Sequence, residues 1–132
     1  MKVPIWLNIH HVIAFHEKQI QEHGGLQGIR DKNLLESGLT RPQHLFHYGK
    51  PTIFELSASY AVGIIKNHPF IDGNKRTGII TASVFLEING FNLEAPEIEL
   101  YQQVIALAES NSEENDFSKW LKKNSKKQMQ EE

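Results

Sequence analysis

Apolar residues recur at helical spacing along most of the chain. Ile9, Val12, Ile13, His16 and Ile20 fall near one face of a stretch from Ile9 to Glu22, which Gly24-Gly25 brings to a stop. Asp31 is placed to cap a short helix through Ser37, with Leu34 and Leu35 turned inward. Between Phe54 and Asn67, Leu56, Tyr60, Ala61, Ile64 and Ile65 make a packing face, and Ser57, Ala58, Ser59 and Gly63 are small enough for close helix contact. Residues 75–88 are apolar nearly all round, which predicts a buried central helix ended by Asn89-Gly90. Pro96 suits the start of a helix over Glu97–Ala108, and Ser112 is placed to cap a last one holding Phe117, Trp120 and Leu121. The pattern lapses twice. Residues 40–52 contain Pro42, Gly49 and Pro51 around Phe46-His47-Tyr48 and read as irregular, while 122–132 is polar apart from Met129 and reads as a disordered tail. The expectation is an all-α domain over residues 1–122, a compact bundle of about six helices around 75–88, with a polar C-terminal tail at 123–132.

Composition removes several function classes. A chain of 132 residues can bury a core without staples. The net charge is −2 and 23% of residues are charged, so no basic field points to nucleic acid. Without cysteine there is neither a disulfide nor a thiolate metal site. The sequence contains no apolar run of about 18 residues and no signal-peptide core. A soluble, cytoplasmic protein with no direct DNA or membrane contact is expected. His10, His11, His16 and His23 share no metal-ligand spacing, and nothing near His44 and His47 completes a shell.

The chemistry concentrates in His68-Pro69-Phe70-Ile71-Asp72-Gly73-Asn74-Lys75-Arg76-Thr77-Gly78. Pro69 pushes His68 out of helical geometry, and Asp72-Gly73 is a turn dipeptide, so the segment reads as helix, tight loop, helix. The second helix begins near Asn74 or Lys75, and a helix start carries free N–H groups that favour anions. Gly73 permits close backbone approach, and Lys75 and Arg76 add full charges. An aspartate beside an anion site is unfavourable unless a cation bridges them, and Mg2+ between Asp72 and phosphate oxygens meets that need. His68 is the natural proton acceptor near neutral pH. Lys66 either reaches the phosphates or is a solvated lysine. Taken singly, a His-Pro helix end, an Asp-Gly turn and a Lys-Arg helix start all have bland readings. A plain turn needs neither both cations nor the histidine.

This motif resembles the signature of the Fic/Doc superfamily, and within it the death-on-curing (Doc) branch. The stretches 24–43, 54–67 and 85–104 are similar to that branch in order and spacing, so the resemblance spans residues 9 to 122. It implies the Fic fold, with room for a small hairpin at a flap near residues 40–52, where Phe46, His47 and Tyr48 would face the substrate. It further implies that ATP is a substrate and that Mg2+ assists. Typical Fic enzymes transfer AMP to a protein hydroxyl and carry glycine where this chain has Lys75. Doc-type members carry lysine there and resemble kinases that bind ATP reversed and pass on its γ-phosphate, the lysine filling space that glycine leaves for phosphates. Their target is a threonine of elongation factor Tu, their effect arrested translation, and their partner a cognate antitoxin protein. Gly73 departs from Doc, which has alanine there, and matches the AMP-transferring enzymes. The resemblance gives His68 the role of general base, Asp72 that of metal ligand or hydroxyl positioner, and Gly73, Asn74, Lys75 and Arg76 those of phosphate contacts. AMP transfer and a catalytically silent module binding antitoxin and repressor are the alternatives. Ser110–Asn115 formally fits an inhibitory [S/T]xxxE[G/N] segment of some Fic proteins, although it reads better as a helix start.

Overall fold

The computed structural model describes residues 2–129. Its elements run α1 (Ile9–His23), α2 (Lys32–Tyr48), α3 (Ile53–Asn67), α4 (Asn74–Ile88), β1 (Phe91–Leu93), α5 (Glu97–Ala108), α6 (Glu114–Lys123) and β2 (Ser125–Lys127). The six helices and all-α class agree with the sequence pattern, but the centre of the bundle does not lie where the pattern puts it. Eleven of the 15 residues of α3 are buried, against seven of the 15 in α4. The side chains of α3 explain this. Small residues at 57–59, 61 and 63 let α2, α4, α5 and α6 all approach it, whereas α4 shows Lys75, Glu87 and Ile88 to solvent. One core cluster joins Phe54, Ala58 and Ile65 to α4, α5 and α6, and a second joins Leu56, Tyr60 and Ile64 to α1, α2 and Phe85.

The irregular stretch at 40–52 is the larger correction. Helix α2 does not stop at Ser37 but continues through Pro42 to Tyr48, and no flap hairpin forms there. A proline removes the N–H that would serve the carbonyl four residues earlier and crowds it. That carbonyl belongs to Gly38, and it faces Gly63 of α3 so closely that a Cβ on Gly63 would stand 2.6 Å from it. The two backbones meet at this glycine pair, and the carbonyl that Pro42 deprives of a partner is covered by α3. Phe46 packs edge-on against Trp6, with ring centroids 5.7 Å apart, and Trp6 stacks on Phe85, so Phe46 belongs to the second core cluster.

The strands occur instead near the C-terminus. β2 pairs antiparallel with β1 in the register Phe91↔Lys127 and Leu93↔Ser125, so residues 125–127 are ordered where the composition predicts a disordered tail. Flanking bonds from Glu94 N to Asn124 O and from Gln128 N to Gly90 O extend the pairing. Lys126 and Lys127 are exposed, so a strand with no apolar core residue is held by backbone bonds, an exposed ion pair from Lys126 to Glu94 at 3.1 Å and the bonds of the Gln128 amide to Glu87 O and Asn92 Oδ1. The rest of the predicted tail, residues 130–132, lies outside the described residues. At the other end, Asn89 donates to the carbonyl of Ile5 and accepts from its N–H, tying the N-terminal segment to the end of α4. Among the described residues no helix is long and apolar enough to cross a membrane.

Tyr60, fully buried, accepts from the N–H of Leu7 and donates to its carbonyl, both at 3.1 Å. Burial pushes its phenol up to about 12 from 10.0, against the lowering effect of the Leu7 bond. A raised folded-state pKa means the unfolded chain loses its proton first. Tyr60 therefore supports the fold fully below pH 10.0, and that support is lost as pH rises through the folded value of about 12. Urea unfolding across this window should show stability falling by roughly 1.4 kcal/mol per pH unit, a slope that Tyr60→Phe removes. Truncation after Lys123 should lower unfolding stability by about 1–3 kcal/mol through the lost strand bonds. A truncated chain as stable as the full one would show that β2 is an ornament.

Candidate functional site

The motif occupies the bend between α3 and α4. Pro69 stops α3, and His68 adopts a left-handed conformation (φ 52°, ψ 52°) while its N–H still reaches the carbonyl of Ile64. A non-glycine residue in this region carries roughly 1–2 kcal/mol of strain. Arg30 offsets it from outside the motif: its Nε donates to the His68 carbonyl at 2.7 Å and its Nη2 to the Asn67 carbonyl at 3.0 Å. A cation on the last carbonyls of α3 also suits the negative end of that helix.

The segment 24–31 runs along the bend as a clasp. Ile71 N donates to Gly28 O, both Arg30 N and Asp31 N donate to Pro69 O, and Ile29 bridges Phe70 in antiparallel fashion. Helix α1 holds the other side. His16 is buried, its ring lies parallel to that of Phe70 with centroids 3.9 Å apart, and its Nε2 sits 2.8 Å from the Asp72 carbonyl. A carbonyl only accepts, so Nε2 carries the proton. Gln19 Nε2 makes a long contact of 3.5 Å to the Gly73 carbonyl. Asn74 closes the bend on itself, its amide accepting from Phe70 N at 2.9 Å and donating to Phe70 O at 3.0 Å.

This wiring leaves the start of α4 open. Its N-cap is Gly73, which has no side chain to offer, and no cap hydrogen bond is made. The first-turn N–H groups and the positive end of α4 therefore face an open cavity of about 320 Å3. His68, Asp72, Gly73, Asn74, Lys75 and Arg76 all line it, so the bend brings six of the seven residues singled out in the sequence together. The seventh, Lys66, is not in the lining and donates instead to Ser110 Oγ at 3.1 Å. Asn74 is present differently from the expectation: its side chain is buried in the loop staple, and only its backbone is left for a ligand. Asp72 accepts from Gly73 N through one oxygen and from Leu26 N through the other. Each oxygen keeps a second lone pair, which suits a single carboxylate ligand of Mg2+ whose remaining ligands are phosphate and water. Among the described residues no cluster of three or more His, Asp or Glu could hold a metal by itself.

The cavity also contains residues that the sequence pattern does not single out: Gln19, His23 and Gly24 from the end of α1, and Tyr101 from α5. The spacing 16, 19, 20, 23 puts His16, Gln19 and His23 on the inner face of α1, a signal that reads equally as core. Phe46, His47 and Tyr48 do not line the cavity, and the clasp at 24–31 lies beside the bend where a flap was expected at 40–52. Glu114 pairs with Arg41 at 2.6 Å, and Glu113, not Ser112, is the N-cap of α6.

A model of the Fic/DOC family matches residues 6–86. The chain is 38% identical over 89 residues to a protein named "Protein kinase doc" from Escherichia phage P1, covering 66% of this chain and 71% of that one. It is 39% identical over 75 residues to "Toxin Doc" from Mycolicibacterium smegmatis, covering 54% of this chain and 57% of that one.

Gly73 has φ 74°, and a Cβ there would collide with Gln19 Nε2. An alanine at this position is therefore not a neutral exchange in this chain. Gly73→Ala should lower unfolding stability by about 1–3 kcal/mol in chemical denaturation. A double-mutant cycle with Gln19→Ala should show coupling of at least about 0.5 kcal/mol; purely additive effects would place the strain in the backbone alone.

Proposed function

Since the chain belongs to the Fic/DOC family, we propose that it transfers a phosphoryl group from ATP to a hydroxyl of a protein, as the toxin of a toxin–antitoxin pair. The observation that carries this reading is the uncapped start of α4, ringed in one cavity by His68, Asp72, Lys75 and Arg76. An imidazole, two cations and free N–H groups around one hollow are what transfer from a polyphosphate to a hydroxyl requires.

In this reading the first-turn N–H groups of α4 and the Arg76 guanidinium hold phosphate oxygens, and Lys75 meets the charge that grows on the transferred group. His68 accepts the proton of the target hydroxyl as its oxygen attacks the γ-phosphorus and ADP departs. The left-handed twist at His68 and the Arg30 bonds fix where that imidazole starts from. Asp72 would hold Mg2+, which supplies charge neutralisation for the phosphates when bound. The names of the relatives support the kinase and toxin parts of the proposal. An elongation factor Tu-like protein as target and a cognate antitoxin as partner follow from the same likeness, and the cytoplasm is the compartment where that target resides. Gly73 favours a second reading, AMP transfer, because the AMP-transferring enzymes share that glycine. Lys75 favours the first, since its side chain fills room that those enzymes leave open.

Intact-mass analysis of translation factors incubated with the protein, ATP and Mg2+ separates the two. A gain of one phosphoryl group is expected; a gain of one AMP would replace the first reading with the second, and no gain with any target would leave a silent binding module. His68→Ala should reduce transfer by ~10²–10⁴ and Arg76→Ala by ~10²–10³, with the fold unchanged by circular dichroism.

A further inference from the structure

Tyr101 reaches the cavity from α5, well outside the motif. Two features set it apart from a packing residue. The first concerns Arg76, whose guanidinium carbon lies 5.2 Å from the centre of the Tyr101 ring, within the range of cation–π attraction. Arg76 makes no ion pair among the described residues. A carboxylate beside it would orient the guanidinium but would also occupy its N–H donors and cancel its charge. An aromatic face orients it and leaves both for a ligand. The second feature is the phenol oxygen, which is buried and has no hydrogen-bond partner. Buried tyrosine hydroxyls ordinarily find one. In a cavity lined by Lys75 and Arg76, the missing partner is most simply an anion, to which a neutral phenol can donate without adding negative charge.

We infer that Tyr101 is a ligand-binding residue of this site, its ring seating Arg76 and its hydroxyl donating to a bound polyphosphate. The inference rests on the phosphate-binding reading of the cavity. It gives α5, which lies beyond the matched residues 6–86, a direct part in binding. The hydroxyl and the ring make separable contributions. Removing the hydroxyl alone takes away one donor to a charged group, and removing the ring as well releases Arg76.

Calorimetric titration of the full chain with a non-hydrolysable ATP analogue and Mg2+, and separately with tripolyphosphate, tests this. Tyr101→Phe should weaken binding of both about tenfold, with a melting temperature equal to or above that of the parent, because an unpaired buried hydroxyl has gone. Tyr101→Leu should weaken binding by roughly a further two- to fivefold. In an Arg76→Ala background the ring should no longer matter, so Tyr101→Leu and Tyr101→Phe bind alike. Parent-like affinity in both Tyr101 variants overturns the inference, as does a loss of affinity that follows a lowered melting temperature. A parent that binds tripolyphosphate but not the analogue refutes the nucleotide reading and leaves Tyr101 to be judged on tripolyphosphate. A parent that binds neither refutes both.

Discussion

The site depends on where the backbone polarity of one bend is directed. The carbonyls of Asn67, His68, Pro69, Phe70 and Asp72 are each engaged from the protein side, by Arg30, the 30–31 amides, Asn74 and His16. Any of those oxygens turned toward the cavity would repel an anion. With them held back, the amides at the start of α4 are what the hollow presents. Each of these bonds is worth about 1 kcal/mol net, but leaving a buried partner unmet costs about 1–3 kcal/mol. The arrangement is therefore hard to undo one bond at a time. It draws on α1, the clasp and the start of α4 together, which is why so much of the chain surrounds eleven residues of motif.

A rigid mount is needed beneath such a bend. Helix α3 supplies it, packed on several sides, and the close Gly38–Gly63 approach fixes α2 against it. His68 sits at the end of this buried helix, and Arg76 one turn into the next. Their separation is thus set by helix packing more than by the loop between them. The loop contributes orientation: the twist at His68 and the turn at Gly73 are both left-handed, and both are braced by residues from other elements.

The parts of this architecture that were legible in the sequence are those governed by local chemistry. Pro69 ends α3 at His68, Gly73 precedes α4, and the helical spacing before Gly24 gives α1, because each depends on a few neighbouring residues. The misreadings share a different cause. Pro42 reads as a break, yet the helix runs on through it, where Gly38 packs against a glycine of a helix some twenty residues away. The polar segment 125–127 offers no packing residue, yet β1 gives it a partner. Asn74 looks like a ligand contact because it sits in the motif, but Phe70, buried beneath it, claims both ends of its amide. Tyr101 carries no signal in its own neighbourhood, because what makes it notable is an arginine from another helix. Partners distant along the chain decide all four.

The segments around Ile5 and Gln128 have a common address. Ile5 is fastened to Asn89, and Gln128 to Gly90, so both segments are tied to the C-terminal end of α4. The cavity is at the other end of that helix, 15 residues or about 22 Å away. These two anchors therefore stand remote from the mouth of the hollow and leave the approach to His68 clear.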